Sequence, residues 1–532
     1  TLKGATGGEL NPKTPYRLAT QTTRSDGFIK NHHLARDDTN NIDETTARAR
    51  LAHAATPNLD LGLTLFHANI DNGYDIFNFD NTRQTRTNHP GHDRQKTQAL
   101  ALTADWQRTP TQTLELRLSG AASDLEYGYD EDWSNPQLCQ LDPCPRGDFG
   151  YHSTTDNYAR DNRTLTLDTR LKTTPSDHTR TTIGTYHRRQ QIDLTRTTTA
   201  TSPFTSRHQD TRHALYGELA QDLRPQLTLT AGARLESRHA TYADSAPFQF
   251  TTRENLWGGK LALSHRPTAQ TLLYAALSRG YKPGGANANP DLPPPFRHYR
   301  TETTLNTELG IKTQHPNFQA QLTAFHQRRR NIQAKSAIVD CAPAGGPCTF
   351  TEYLTNAATA THRGIEAQLT WHPNARTSLA TALGLLHTAF GPGYTNFQHI
   401  AADNQTATGI DMTGRALPHA PRYQFTAALD RQLTPALRLH LDLEGKDRFL
   451  FSNDHDHRST RYTLLNARLS YQPPQNPNWS AALWGKNLTN KTYQTRGFGT
   501  FGNDPRNGYA CCGPYYQLAD PRTLGLNIRH QF

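Results

Sequence analysis

The chain has 532 residues, of which only 34% are hydrophobic, with a mean hydropathy of −0.78 and a formal net charge of +10. No run approaches the roughly 18 consecutive apolar residues of a membrane-spanning helix, which excludes helical membrane proteins but not β-barrels, where only every second residue faces lipid. Lys and Arg are scattered rather than clustered, which argues against nucleic acid as a partner, and 21 Tyr and 20 Phe in dense alternation argue against disorder.

In chain order, "TLKGATGGEL" (1–10) reads as the tail of a strand, and a first full strand follows at about 15–25. The chain begins at Thr1 and carries a single methionine, Met412, so it reads as a processed protein or a fragment. Period-two alternation then continues to the end. "TLELRLS" (113–119) sets Leu114, Leu116 and Leu118 against Glu115, Arg117 and Ser119, "QLTLTAGARLE" (226–236) repeats the pattern, and "LRLHLDLE" (437–444) puts four leucines on one face. These are strands with one apolar and one strongly polar face.

Short Pro-containing turns recur at Pro12/Pro15, Pro57, Pro110, Pro175, Pro225, Pro267, Pro316, Pro373, Pro435 and Pro473/Pro474. Between them lie longer connections rich in Gly, Asp, Asn and Cys, at about 25–42, 70–94, 123–162, 190–210, 238–252, 281–301, 335–361, 390–420, 450–460 and 499–520. Short turns at one end and long loops at the other are the asymmetry of an outer-membrane barrel. The pattern predicts an all-β antiparallel transmembrane barrel with about twenty full strands, completed most simply by two strands before Thr1 to make twenty-two. Trp106, Trp371 and Trp479 fall near short turns, where an interfacial aromatic girdle belongs. A propeller or solenoid would show a recurring sequence unit of roughly 20–50 residues, and none is present.

Six cysteines form three near-neighbour pairs in loop-like stretches: Cys139/Cys144, Cys341/Cys348 and Cys511/Cys512. Loop-clipping disulfides in an oxidising compartment are the natural reading for the first two. A bond between the adjacent Cys511 and Cys512 would be strained, because their Cα atoms are only about 3.8 Å apart.

Several stretches resemble the TonB-dependent outer-membrane receptors. "LLYAALSRGYKPGGAN" (272–287) is similar to the family's strand rising into a long loop, and "TETTLNTELGIKT" (301–313) to the strand returning from it. "GKNLTNKTYQTRG" (485–497) and "LADPRTLGLNIRHQF" (518–532) resemble its last two strands, and "SDGFIKNHHLARDDTNNIDETTARARL" (25–51) its early barrel. The resemblance implies a twenty-two-stranded barrel in the bacterial outer membrane, with its C-terminus periplasmic and its long loops extracellular. It also implies an N-terminal plug domain contacting a TonB-type energy coupler of the inner membrane. On this pattern, residues 1–532 are the barrel domain alone, with the plug and the first hairpin missing. The plug is then either the missing N-terminus of a longer receptor, the favoured reading, or a separate polypeptide. Outer-membrane lipid and lipopolysaccharide are further implied partners.

Enzyme signatures are missing: there is no HExxH, no GxSxG, no P-loop and no pair of CxxC motifs, so the expectation is a non-enzyme without a cofactor. Ligand capture is assigned to aromatic and basic groups where loops meet the barrel: Arg279, Tyr281, Lys282, Arg297, Tyr299, Arg300, Tyr353 and Tyr515. A basic, aromatic mouth suits an anionic metal chelate, with a ferric siderophore leading because iron chelates are the commonest family substrate. A passive diffusion pore and a barrel adhesin binding macromolecules are the alternatives. His455 and His457 in "NDHDHR" (453–458) are weak metal candidates, and a solvated loop tip is the preferred reading. The ending sets Leu524, Leu526, Ile528 and Phe532 on one face, resembling the family's C-terminal assembly signal. The strand that should pair with this edge is expected before Thr1, so the chain alone does not close in the family's register.

Overall fold

The computed structural model describes residues 1–141, 144, 153–199, 201–341, 348–400, 407–498, 504–507 and 514–532. Twenty-one strands, from Leu2–Glu9 to Thr523–His530, form one sheet in which each strand pairs antiparallel with the next in sequence. The tail at 1–10 is therefore itself a strand, added to the twenty expected. Each short turn foreseen at a proline is present. Strand Ile42–Thr56 turns at once into Leu59–Gly73, for example, and His92–Thr109 into Gln112–Asp130.

Lateral register explains which face is which. Leu65 opposes Leu100, Leu102 opposes Leu118, and Leu118 opposes Leu167. The same apolar row continues through Leu215 against Leu235, Leu261 against Leu277, Ile311 against Leu322, and Leu483 against Leu526. Its members are exposed: Leu215 by 55%, Leu235 by 62% and Leu483 by 61%. Their polar neighbours on the opposite face are buried, with Glu236, Arg238 and Asp210 each at 5% or less. That is the reverse of a soluble protein and is the arrangement of a barrel whose solvent outside is lipid.

The sheet curls far enough that its first and last strands line one cavity of about 2670 Å³, bordered by Leu2–Gly7 on one side and Gly525–Phe532 on the other. Among the described residues, no ladder joins these two edge strands. Trp106, Trp371 and Trp479 lie at the short-turn end and are 42–44% exposed on the outward face, where a girdle was expected. Trp484 points the other way. Its ring covers Gly525, where an added Cβ would lie 2.2 Å from the ring, and its Nε1 donates to Asn527 Oδ1 at 2.7 Å.

At the long-loop end the strands extend further than the sequence suggests. Thr179–Thr198 and Phe204–Arg224 leave a short link in place of a loop over 190–210, and Phe318–Cys341 with Cys348–Asn374 turn most of 335–361 into a projecting hairpin. Crossing a bilayer takes only about 9–11 tilted residues, so the excess length stands clear of the leucine belt. Gly, Asp and Asn mark where strands leave the membrane, which the sequence reading took for where they end.

Cys139 and Cys144 form a disulfide beside a four-residue helical turn, Leu138–Leu141. Cys341 and Cys348 oppose each other in the register of the projecting hairpin. Cys511 and Cys512 lie outside the described residues.

Candidate functional site

The polar face carries a chain of ion pairs that crosses strand after strand. Arg117 meets Asp105 at 2.5 Å, Lys172 meets Glu115 at 2.6 Å, and Arg170 meets Asp168 at 3.1 Å. Tyr216 donates to Asp168 at 2.8 Å, and Arg234, over the ring of Tyr186, reaches Glu236 at 2.6 Å. Towards the loops, Asp210 is held by Arg212 and Arg238, both at 2.5 Å, and Arg238 also takes Glu254 at 2.7 Å. Alternation in sign across neighbouring strands makes each charge the counterion of the next, so a face that would repel itself as a run of like charge is cohesive.

This chain of pairs ends at the connection 283–301. Arg238 Nη1 donates to the Gly284 carbonyl at 2.9 Å, and Thr301 donates to Glu254. Inside the connection, Gly285–Ala286 pairs with His298–Tyr299, and Pro294–Phe296 makes a 3₁₀ turn. Asn287 fastens the connection to the neighbouring hairpin through Nδ2 to the Leu354 carbonyl (2.9 Å) and through Oδ1 from the Leu354 N–H (2.9 Å).

Six of the eight proposed ligand residues meet here. Tyr281 sits against Arg234 and Glu236. Arg297 is 4% exposed, paired with Asp244 and 4.4 Å from the Phe248 ring. Tyr353 is 5% exposed and packs against Phe296 at 5.0 Å. These two residues hold the rim together. Lys282 and Arg300 are exposed, with the half-buried Tyr299 beside Arg300, and their backbone carbonyls both accept from Gln333 Nε2. Arg279 is elsewhere, on the outward face, 3.8 Å above the ring of Trp257. Tyr515 is elsewhere too, in a second assembly.

That second assembly is aromatic. Phe77 stacks on Trp133 at 5.4 Å and meets Phe498 at 5.0 Å, while Tyr515 meets Trp133 at 5.2 Å and Phe79 at 5.7 Å. Hydrogen bonds fix the same contact: Asn81 donates to the Pro514 carbonyl (2.8 Å) and accepts from the Tyr516 N–H (2.6 Å), and Arg83 donates to Ala519. Connection 73–91 is thereby clasped to the last connection of the barrel.

The "NDHDHR" loop uses its groups internally. Asp454 accepts from Asn396 (2.9 Å) and Ser452 (2.8 Å), and Asp456 pairs with Arg415. His455 and His457 rings lie 5.2 Å apart, and burial holds the His457 imidazole below its usual range. Among the described residues no group of three or more His, Cys, Asp or Glu is arranged around a metal position. Leu524, Leu526 and Ile528 are 59–70% exposed and Phe532 is fully exposed beyond the last strand, with His530 tilted against Trp479 and meeting Phe532 edge-on.

Sequence reasoning missed Asp210, Arg238 and Glu254, because the ion pairs that join them span three neighbouring strands. Period-two placement of charge opposite leucine was the available signal.

The family "TonB dependent receptor-like, beta-barrel" matches residues 21–488. The chain belongs to this family. The barrel is thus that of an outer-membrane transport receptor in family and fold. The "Pesticin receptor" of Yersinia pestis is 24% identical over 282 residues, 52% of this chain and 36% of that protein, so the match spans about a third of that relative's length. Among solved structures, "the ferric yersiniabactin uptake receptor FyuA from Yersinia pestis" superposes with a TM-score of 0.78 at 17% identity, over 100% of this chain and 77% of that one. "The siderophore receptor PiuA from Acinetobacter baumannii" gives 0.78 at 13% identity, over 99% and 79%. At such identities the superpositions speak for the fold.

Proposed function

We propose that this barrel is the outer-membrane portion of a receptor that imports an anionic metal chelate of the ferric-siderophore class. Its plug would be supplied by further sequence or a second polypeptide, and a TonB-type coupler would displace that plug. The observation that carries the reading is the placement of exposed Lys282 and Arg300 at the two ends of connection 283–301, with Tyr299 next to Arg300 and Arg238 pinning the connection to the polar lumenal face. Cations held on a braced rim attract an anionic chelate without needing to reorganise, and the flanking aromatic ring suits a chelate with aromatic donors. Loops facing the exterior and a C-terminus facing the periplasm follow from the same reading.

The test is uptake of ⁵⁵Fe-chelates by a deletion strain carrying the complete gene. Uptake of one chelate that falls with Lys282→Ala and Arg300→Ala supports the proposal. Unchanged uptake of every chelate in the deletion strain overturns it. A macromolecular ligand at the same loops is the second reading, favoured by the large aromatic assembly around Trp133 and by the relative named for pesticin. It predicts protein binding with no chelate uptake.

A further inference from the structure

Away from the proposed chelate site, the structure buries a group of oxygen atoms that accept no hydrogen bond from the described residues. Three segments converge there. Asn88 N–H donates to the Ser134 carbonyl (3.0 Å), Glu131 N–H to the Thr154 carbonyl (2.8 Å), and Asn135 Nδ2 to the Arg86 carbonyl (2.7 Å). Between them the carboxyl groups of Asp130 and Asp132 lie against each other. One oxygen of each is accounted for: Asp130 Oδ2 accepts from His89 N–H at 3.3 Å, and Asp132 Oδ1 accepts from Thr154 N–H at 3.0 Å. The remaining oxygens, Asp130 Oδ1 and Asp132 Oδ2, are buried and accept nothing. Asn88 Oδ1 and Ser134 Oγ are in the same condition. Asp130 is 3% exposed and Ser134 fully buried, and the Ser134 backbone N–H itself reaches the Asp130 carboxylate.

Among the described residues, no arginine or lysine pairs with these two carboxylates. Arg196 is committed to Asp156 through Nε (2.8 Å) and Nη2 (3.0 Å), and Tyr129 and Tyr158 donate to the same carboxylate. Glu131 adds a further negative group, and His89 faces Asp132 from an exposed position. Two touching buried carboxylates cannot both remain ionised without a counterion, and burial raises the proton affinity of both.

We propose that Asp130, Asp132, Asn88 and Ser134 form a binding site for a hard divalent cation of the Ca²⁺ class. The carboxylate oxygens supply the charge, the amide and hydroxyl oxygens are neutral ligands, and water completes the shell. An all-oxygen set of mixed type, without thiolate or imidazole, suits Ca²⁺ rather than Zn²⁺ or Cu²⁺, and its irregular origin in three segments suits Ca²⁺ better than the stricter octahedron of Mg²⁺. The cation would tie connection 73–91 to segment 130–135, the two pieces that bring Phe77, Phe79 and Trp133 together, so its binding would brace the aromatic assembly.

The test uses the purified full chain in detergent, stripped with chelator and titrated with Tb³⁺ and then Ca²⁺. Trp133 is adjacent in sequence to the site, so Tb³⁺ should show saturable sensitised emission that Ca²⁺ displaces, and Ca²⁺ should raise the thermal midpoint. Asp130→Asn keeps the shape and the acceptor for His89 and removes the like-charge contact, so this variant should fold. It should lower Tb³⁺ and Ca²⁺ affinity by about 100-fold, the scale expected for losing a charged ligand. Ser134→Ala should lower it by about tenfold. Absence of saturable emission in the folded wild type, or affinity unchanged in Asp130→Asn, overturns the proposal. So does a midpoint that responds to acidification alone and not to Ca²⁺, which would mean that the two carboxyls share a proton.

Discussion

Arg238→Met isolates the link between the lumenal ion pairs and the chelate rim. Methionine keeps much of the stem volume and deletes the guanidinium, which is 4% exposed and bonds Asp210, Glu254 and the Gly284 carbonyl. Each carboxylate retains a partner: Asp210 keeps Arg212, and Glu254 keeps Thr301. The loss therefore falls short of the roughly 3–5 kcal/mol of an abandoned buried charge, and amounts to a few charge-assisted hydrogen bonds already discounted for exchange with water, about 2–3 kcal/mol. At about 1.4 kcal/mol per factor of ten, local opening of 283–301 should become about 30- to 150-fold more frequent. Hydrogen exchange read by mass spectrometry on the Asn287, Phe296 and Arg297 amides, all hydrogen-bonded within the connection, measures this directly. Arg212→Met, which leaves every Arg238 contact in place, should change those amides far less. Equal protection of 283–301 in wild type and Arg238→Met would refute the idea that the ion-pair chain braces the rim.

Trp133→Ala removes the ring shared by Phe77, Phe498 and Tyr515 and should cost up to about 3–5 kcal/mol locally, seen as joint proteolytic sensitivity of connection 73–91 and segment 494–498. Asp75, 2% exposed and held by the neutral groups of Thr85, Thr87 and Asn31, has its pKa raised by burial. A folded pKa above the unfolded value means the folded state holds the extra proton. Stability of connection 73–91 should thus fall as pH rises from the ordinary carboxylate range through the folded pKa, and Asp75→Asn should flatten that dependence in a thermal-shift series. Gly525→Ala drives a methyl into the Trp484 ring and should weaken the last strand pairing, read as slower assembly into the folded, heat-modifiable form on gels.

Much of the architecture was legible in the sequence because a barrel strand carries its own instructions. "QLTLTAGARLE" (226–236) tells which side of the chain meets lipid without reference to any partner, and a proline at Pro225 or Pro267 marks a short turn by withholding a ladder donor at or next to the strand's last residue. The rim was legible only in part. Arg297 and Tyr299 were found as loop residues, but whether a basic loop residue faces a ligand or a buried Asp244 depends on a strand 53 residues away. Asp130 and Asp132 look in sequence like an ordinary acidic turn. Their character comes from Asn88 and Thr154 arriving from other connections.

The clasp between Asn81 and Tyr516 joins residues that are far apart along the chain. The hydrogen-bonded route between them runs through every intervening strand pair, and an antiparallel slip that preserves inside and outside moves a strand by two residues, about 6.6 Å. A bond that tolerates only a few tenths of an ångström at the end of such a route works as a vernier: it closes only when every earlier pairing is in register. Fastening of the Phe77 and Phe498 rings would then be the last event of assembly and a proofreading mark for all that precede it.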